Sequence, residues 1–153
     1  MQKVIPNEIL LSEVGRLLSE DIEVVLMTKG CSMLPFIHGE KDSVRLKKFP
    51  MDQIKVSDVV LAEIAPAHYV LHRVVSVDGD KLELMGDGNC RGHERCLRKN
   101  VLGTVVAIVR PSGREVSVPK ARLWRKMLPL RPYILWFDRK VRRALSILKR
   151  IFR

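Results

Sequence analysis

A mainly β chain, antiparallel and coiled into a barrel-like shape, is what this sequence predicts. Three observations carry that prediction. Short β-branched runs follow one another closely through residues 22–118. A tight Asp78-Gly79-Asp80 turn joins two of them, as a hairpin does. No long helices alternate with the runs, as a parallel sheet would require.

The elements follow in order. Residues 7–19 predict a short helix: Asn7 suits the N-cap, Glu8 the first turn, and Ile9, Leu10, Val14, Leu17 and Leu18 recur at helical spacing. Strands are predicted over 22–28, 43–46, 58–64, 69–77, 81–85, 101–110 and 114–118, about seven in all. Gly30–Pro35 reads as a turn or helix start, and Gly86–Arg95 as a loop rich in glycine, asparagine and charge. Beyond Pro119 the character changes. Residues 121–128 and 133–153 read as basic amphipathic helices separated by Pro129 and Pro132.

Charge divides the chain at the same place. The net charge is +11 over 153 residues, yet residues 1–118 hold 16 basic and 16 acidic side chains. Residues 119–153 hold 12 basic side chains and the single acid Asp138. A neutral body (1–118) with a basic tail (119–153) implies a tail that meets an anionic surface, membrane or nucleic acid. Trp124, Tyr133, Trp136 and Phe137, set among Arg139, Lys140 and Arg143, fit lipid headgroups better than a nucleic-acid groove. An anionic membrane is therefore the expected partner of the tail, and no nucleic acid is expected.

Three cysteines, Cys31, Cys90 and Cys96, are too few and too odd for a disulfide framework. Cys90 and Cys96 bracket His93, but zinc sites use tighter pairs and a fourth ligand, so no metal and no cofactor is expected. The chain opens without a signal peptide and has no apolar run of about 18 residues. The expectation is peripheral membrane association with the body on the cytoplasmic side.

The residues that carry chemistry are few. Ser32 lies in Gly30-Cys31-Ser32-Met33-Leu34-Pro35, a turn after a strand that presents its hydroxyl. A serine hydroxyl needs a base, and His72 stands alone in a β-branched strand, Tyr69-Val70-Leu71-His72-Arg73-Val74-Val75. Asp87, in Gly86-Asp87-Gly88-Asn89, is an acid that either orients His72 or shapes its own loop by an Asx-turn.

These boxes resemble the signal-peptidase and LexA-type serine peptidase superfamily. Its Ser-Met-x-Pro box is matched by Ser32-Met33-Leu34-Pro35, and its Gly-Asp segment and short strand, loosely, by Gly39 through Leu46. The Gly-Asp-Val-Val strand appears as Ser57-Asp58-Val59-Val60, with serine for glycine, and a closing Gly-x-Val-Val strand as Gly103-Thr104-Val105-Val106. The His72-Arg73-Val74 motif resembles the histidine-base branch, typified by endoplasmic-reticulum signal peptidase, and so does the Gly86-Asp87-Gly88-Asn89 loop. The resemblance covers about residues 24–110. It implies an antiparallel β peptidase fold and a serine endopeptidase that cleaves signal or leader peptides after small residues. Ser32 would be the nucleophile, His72 the base and Asp87 its orienting acid. Gly30, Cys31, Met33, Leu34 and Pro35 would form the oxyanion site and substrate cleft.

Three departures stand out. The family often carries an oxyanion-stabilising serine where this chain has Gly30. The histidine branch commonly has a second acid about six residues after the first, where this chain has His93 and Glu94. Signal peptidases usually reach the membrane by an N-terminal spanning helix, and here the basic tail would take that part. Two other readings remain. One is a non-catalytic relative that binds peptides or membranes. The other is a repressor-type autoprotease, disfavoured because residues 1–23 are too short for a helix-turn-helix domain and the base is histidine, not lysine.

Overall fold

The computed structural model describes residues 7–89 and 92–118, together with Leu130, Pro132, Tyr133, Trp136, Phe137, Lys140, Val141 and Arg143 of the tail. A 13-residue helix, α1 (Asn7–Ser19), precedes eight strands: β1 (Val24–Met27), β2 (Ser43–Lys47), β3 (Val59–Ala65), β4 (His68–Asp78), β5 (Lys81–Met85), β6 (Glu94–Leu97), β7 (Val101–Val109) and β8 (Glu115–Val116). All the pairings are antiparallel. The strands run β1-β2-β7-β3-β4-β5-β6, with β8 on the far part of β7.

The expected barrel does not close. β1 and β6 are the two ends of the sheet and pair with different neighbours, so the sheet stays open. Register shifts at Arg45/Leu46, Leu61/Ala62, Glu63/Ala65 and Val74/Ser76 mark bulges, which bend strands and increase their twist. A second difference is β6. The expected Gly86–Arg95 loop ends early, and Glu94–Leu97 adds an edge strand beside β5.

Apolar residues line both faces of the central strand. In β3, Val59 and Leu61 belong to a cluster with Val14 and Leu18 of α1, Val44 and Leu46 of β2, and Ile108 of β7. Val60 and Ala62 belong to a second cluster with Val74, Leu82, Leu84 and Val101. Successive side chains of a strand point to opposite faces, so four consecutive buried residues mean that β3 is covered on both sides. The β4–β5 hairpin turns over Gly79 and Asp80, with Gly79 at φ +55°, the left-handed backbone that glycine adopts without strain.

In the tail, Tyr133, Trp136 and Phe137 are exposed, and the Lys140 ammonium lies 4.8 Å from the centre of the Trp136 ring. Trp124 and Arg139, named above as membrane contacts, lie outside the described residues, as does the 121–128 helix. Among the described residues no helix is long and apolar enough to cross a membrane.

Candidate active site

Ser32 sits in the turn between β1 and β2. The chain enters that turn through Gly30, whose φ is +74°. The returning segment is tied underneath it. Glu40 N–H donates to the Thr28 carbonyl at 2.7 Å, and Thr28 donates through N–H (3.1 Å) and Oγ (2.8 Å) to the Asp42 carbonyl. The Asp42 carboxylate is itself buried. It accepts from His38 N–H at 2.8 Å and from Arg110 at 2.5 Å. Gly39 passes so close to Gly30 that a Cβ at position 39 would fall 2.0 Å from the Gly30 carbonyl oxygen. Only glycine fits there.

His72 is buried in the middle of β4, opposite Val60. The sheet register determines which acid reaches it. Val74, Leu84 and Glu94 form one row across β4, β5 and β6, and His72, two residues before Val74, shares their face. The Glu94 carboxylate accordingly meets His72 Nδ1 at 2.9 Å. Arg73 and Met85 form the neighbouring row on the opposite face, and Asp87 lies two residues beyond Met85. Asp87 is engaged there by Arg73 through both oxygens, at 2.8 Å from Nε and 2.7 Å from Nη2. Arg73 and Asp87 are 0% and 1% exposed, and Arg73 also donates to the Ser57 carbonyl at 2.8 Å. The acid expected on His72 at position 87 is thus clamped to Arg73, and the carboxylate on Nδ1 belongs to Glu94. The one pointer to Glu94 in the sequence was its place, with His93, near where the peptidases that the motifs resemble carry a second acid; it lies seven positions after Asp87.

The glycines beside Asp87 bring Ser32 and His72 together. Gly88 N–H donates to the Ser32 carbonyl at 2.6 Å. A Cβ on Gly86 would stand 2.5 Å from the Ser32 carbonyl oxygen and 3.1 Å from both Ser32 Cβ and His72 Nε2. A Cβ on Gly88 would stand 2.5 Å from the Cys31 carbonyl oxygen. The loop therefore packs directly against the Ser32 backbone, and Ser32 Cβ and His72 Nε2 both lie close to Gly86. The Arg73–Asp87 pair ties this loop to the strand that carries His72.

Ser32 and His72 open into one cleft of about 260 Å³, whose lining includes Gly30, Met33, Leu61 and Leu71. Cys31 is exposed, Leu34 is buried and Pro35 is half-buried, and none of the three lines the cleft. A larger cavity of about 890 Å³ lies between the end of β3 and β6 and contains neither Ser32 nor His72.

Three chemical consequences follow. Nδ1 of His72 is held by a carboxylate, which leaves Nε2 to take a proton from Ser32. The Ser32 N–H meets no acceptor among the described residues, so it is available to an oxyanion. A serine at position 30 would have to adopt φ +74°, a left-handed backbone that strains a residue with a side chain. Burial pushes the Cys96 thiol above its ordinary pKa, which keeps it protonated and a poor nucleophile. His93 turns toward Glu83, 3.5 Å away, and no cluster of three metal-ligating side chains occurs among the described residues. No protein-family model matches the chain, and no curated protein matches it either.

Proposed function

We propose that the protein is a serine endopeptidase resembling the histidine-base signal peptidases, and that it cleaves signal or leader peptides at a membrane surface. Ser32 is the nucleophile, His72 the general base and Glu94 the acid that orients it. The carrying observation is the Glu94–His72 contact at Nδ1, with His72 Nε2 and Ser32 Cβ each 3.1 Å from where a Cβ on Gly86 would stand. His72 takes the Ser32 proton as Oγ attacks the scissile carbonyl. The Ser32 N–H stabilises the oxyanion. The leaving amine takes the proton from His72, and a water activated by His72 releases the acyl group. Asp87 serves as a positioning residue, holding the Gly86–Gly88 loop to Arg73. The exposed aromatics and cations of the tail support contact with an anionic bilayer.

Labelling with a fluorophosphonate in the presence of anionic vesicles tests this reading. The Ser32 Oγ–phosphorus bond forms, the phosphorus–fluorine bond breaks, fluoride leaves, and the hydroxyl proton passes to His72. The wild type is expected to label, while Ser32→Ala and His72→Ala stay blank. A blank wild type would instead favour a peptide- or membrane-binding relative without catalysis.

A further inference from the structure

β6 ends the sheet, and one of its edges meets no strand. The register with β5 shows which backbone groups lie there. Arg98 N–H donates to the Asp80 carbonyl at 2.8 Å, on the ladder that sets Leu82 opposite Cys96 and Glu83 opposite Arg95. Bonded and non-bonded pairs alternate along an antiparallel ladder. Cys96 therefore turns its backbone groups to β5, while Arg95 and Leu97 turn theirs away. The outward Leu97 N–H is taken by Asn100 Oδ1 at 3.2 Å. Among the described residues, no partner meets the Arg95 N–H or carbonyl. This edge borders the cavity of about 890 Å³. Across the cavity, β7 pairs with β3 no further than Ala62, so the last three residues of β3 have a strand on one side alone. Leu82 of the second core cluster, with Ile64 and Cys96 packed on that cluster, gives the cavity an apolar floor. The Arg95 side chain stands on the opposite face of β6 and is 85% exposed.

We propose that the β6 edge is a docking site for an extended segment of a partner polypeptide, apolar where it faces Cys96 and acidic where it faces Arg95. Such a segment supplies backbone groups for Arg95 and alternate side chains for the floor and the rim. Directly opposed residues of antiparallel strands touch, and opposite charges there attract. Glu83 lies 3.6 Å from Arg95 but is shared with His93, and a guanidinium has five N–H donors to offer. The other acids of the rim are engaged elsewhere. Glu63 accepts from the Ala67 N–H at 2.9 Å, and Asp78 stands opposite Lys81 on the β4–β5 ladder. The site contains neither Ser32 nor His72 and does not depend on their roles.

Fluorescence anisotropy of a fluorescein-labelled Thr-Val-Glu-Val-Thr peptide on the full-length Ser32→Ala protein tests the site. The substitution keeps the peptide intact whatever Ser32 does. Binding with a Kd below about 1 mM is expected. Changing the peptide's glutamate to lysine sets like charges together, and methylating the glutamate nitrogen removes one hydrogen bond. Each should weaken binding roughly fivefold. Arg95→Pro removes an outward N–H and no ladder bond, as an edge strand tolerates, and should abolish binding. Arg95→Glu should reverse the preference and take the lysine peptide. It leaves the backbone groups in place, so it decides alone if Arg95→Pro fails to fold. No binding of the glutamate peptide overturns the site, and so does binding that Arg95→Glu leaves unchanged. Two further outcomes overturn the occupant. A dimer in sedimentation that Arg95→Glu dissolves would make the partner a second copy of this chain. Uptake of N-phenyl-1-naphthylamine without the peptide would make the cavity a site for a small apolar molecule.

Discussion

Glu94 and Asp87 carry the same charge seven positions apart, and their surroundings give them opposite tasks. Glu94 is partly open to solvent and touches His72, whereas Asp87 is sealed against Arg73. Glu94→Gln is expected to slow fluorophosphonate labelling roughly a hundredfold or more, as neutralising a triad acid does. Its effect on stability should stay within about 1 kcal/mol, since a half-open pair contributes little. Asp87→Asn strands a buried guanidinium and is expected to destabilise by about 3–5 kcal/mol. Thermal melts and labelling rates measured on both variants separate the two roles. If Asp87→Asn kept the wild-type melting temperature, the clamp assignment would be lost. Ser57 offers a change in the other direction. It holds φ +85°, and its buried hydroxyl has no hydrogen-bond partner among the described residues. Ser57→Gly places there the residue that the resembling family carries. It relieves left-handed strain and removes the orphaned hydroxyl, and the flexibility glycine adds to the unfolded chain offsets part of the gain. A stabilisation of about 1 kcal/mol in a denaturant melt is the expected result.

At the level of elements, the Ser32 turn depends on a backbone passage that no side chain can enter. Gly39→Ala sets a Cβ against the Gly30 carbonyl, and backbone on both sides cannot step aside. The expected loss is about 3 kcal/mol, near the upper end for overpacking, and labelling should fall with it because Ser32 rides on the displaced turn. Gly113→Ala is the control: its φ is +80° but its Cβ would meet nothing within 4 Å, so only about 1 kcal/mol of backbone strain is expected. Much of this architecture was legible in the sequence. α1 spans residues 7–19 and β5 residues 81–85 as predicted, because helical spacing and a two-residue hairpin turn leave little freedom. β6 was not legible, since Glu94-Arg95-Cys96-Leu97 carries two charges and alternates only between half-buried and exposed. That omission also hid Glu94 as the carboxylate on His72. Ser32 and His72 could be named from their local motifs, but which carboxylate meets His72 depends on the register of β4, β5 and β6, which pairs residues far apart in the chain. Closure failed for a related reason: local alternation predicts strands, whereas joining β1 to β6 would need a pairing that neither strand advertises.

For the whole molecule, the decisive feature is where the charge lies. The body balances its 16 basic side chains with 16 acids, so the field that would draw the protein to an anionic surface arises from residues 119–153. Each Lys or Arg near an anionic leaflet contributes about 1 kcal/mol to attraction. Changing Arg139, Lys140, Arg142 and Arg143 together to glutamine is therefore expected to weaken co-sedimentation with phosphatidylserine vesicles by at least about a hundredfold. The wild-type interaction should fall as salt rises, because the Debye length shrinks to about 3 Å at 1 M. Trp136→Ala, which removes an exposed ring stacked by Lys140, should weaken binding several-fold and leave the salt dependence almost unchanged, since the ring acts through apolar contact. The two variants thus divide the tail into a charge component and an insertion component. A wild type that ignores the vesicles but retards nucleic acid in a gel would assign the same charges to phosphodiester backbones instead. Labelling at Ser32 offers the link between tail and site. If the tail brings the cleft to the bilayer, anionic vesicles should accelerate labelling by a membrane-partitioned octyl fluorophosphonate in the wild type and not in the quadruple glutamine variant. An equal acceleration in both would mean that the probe, and not the protein, had gone to the membrane.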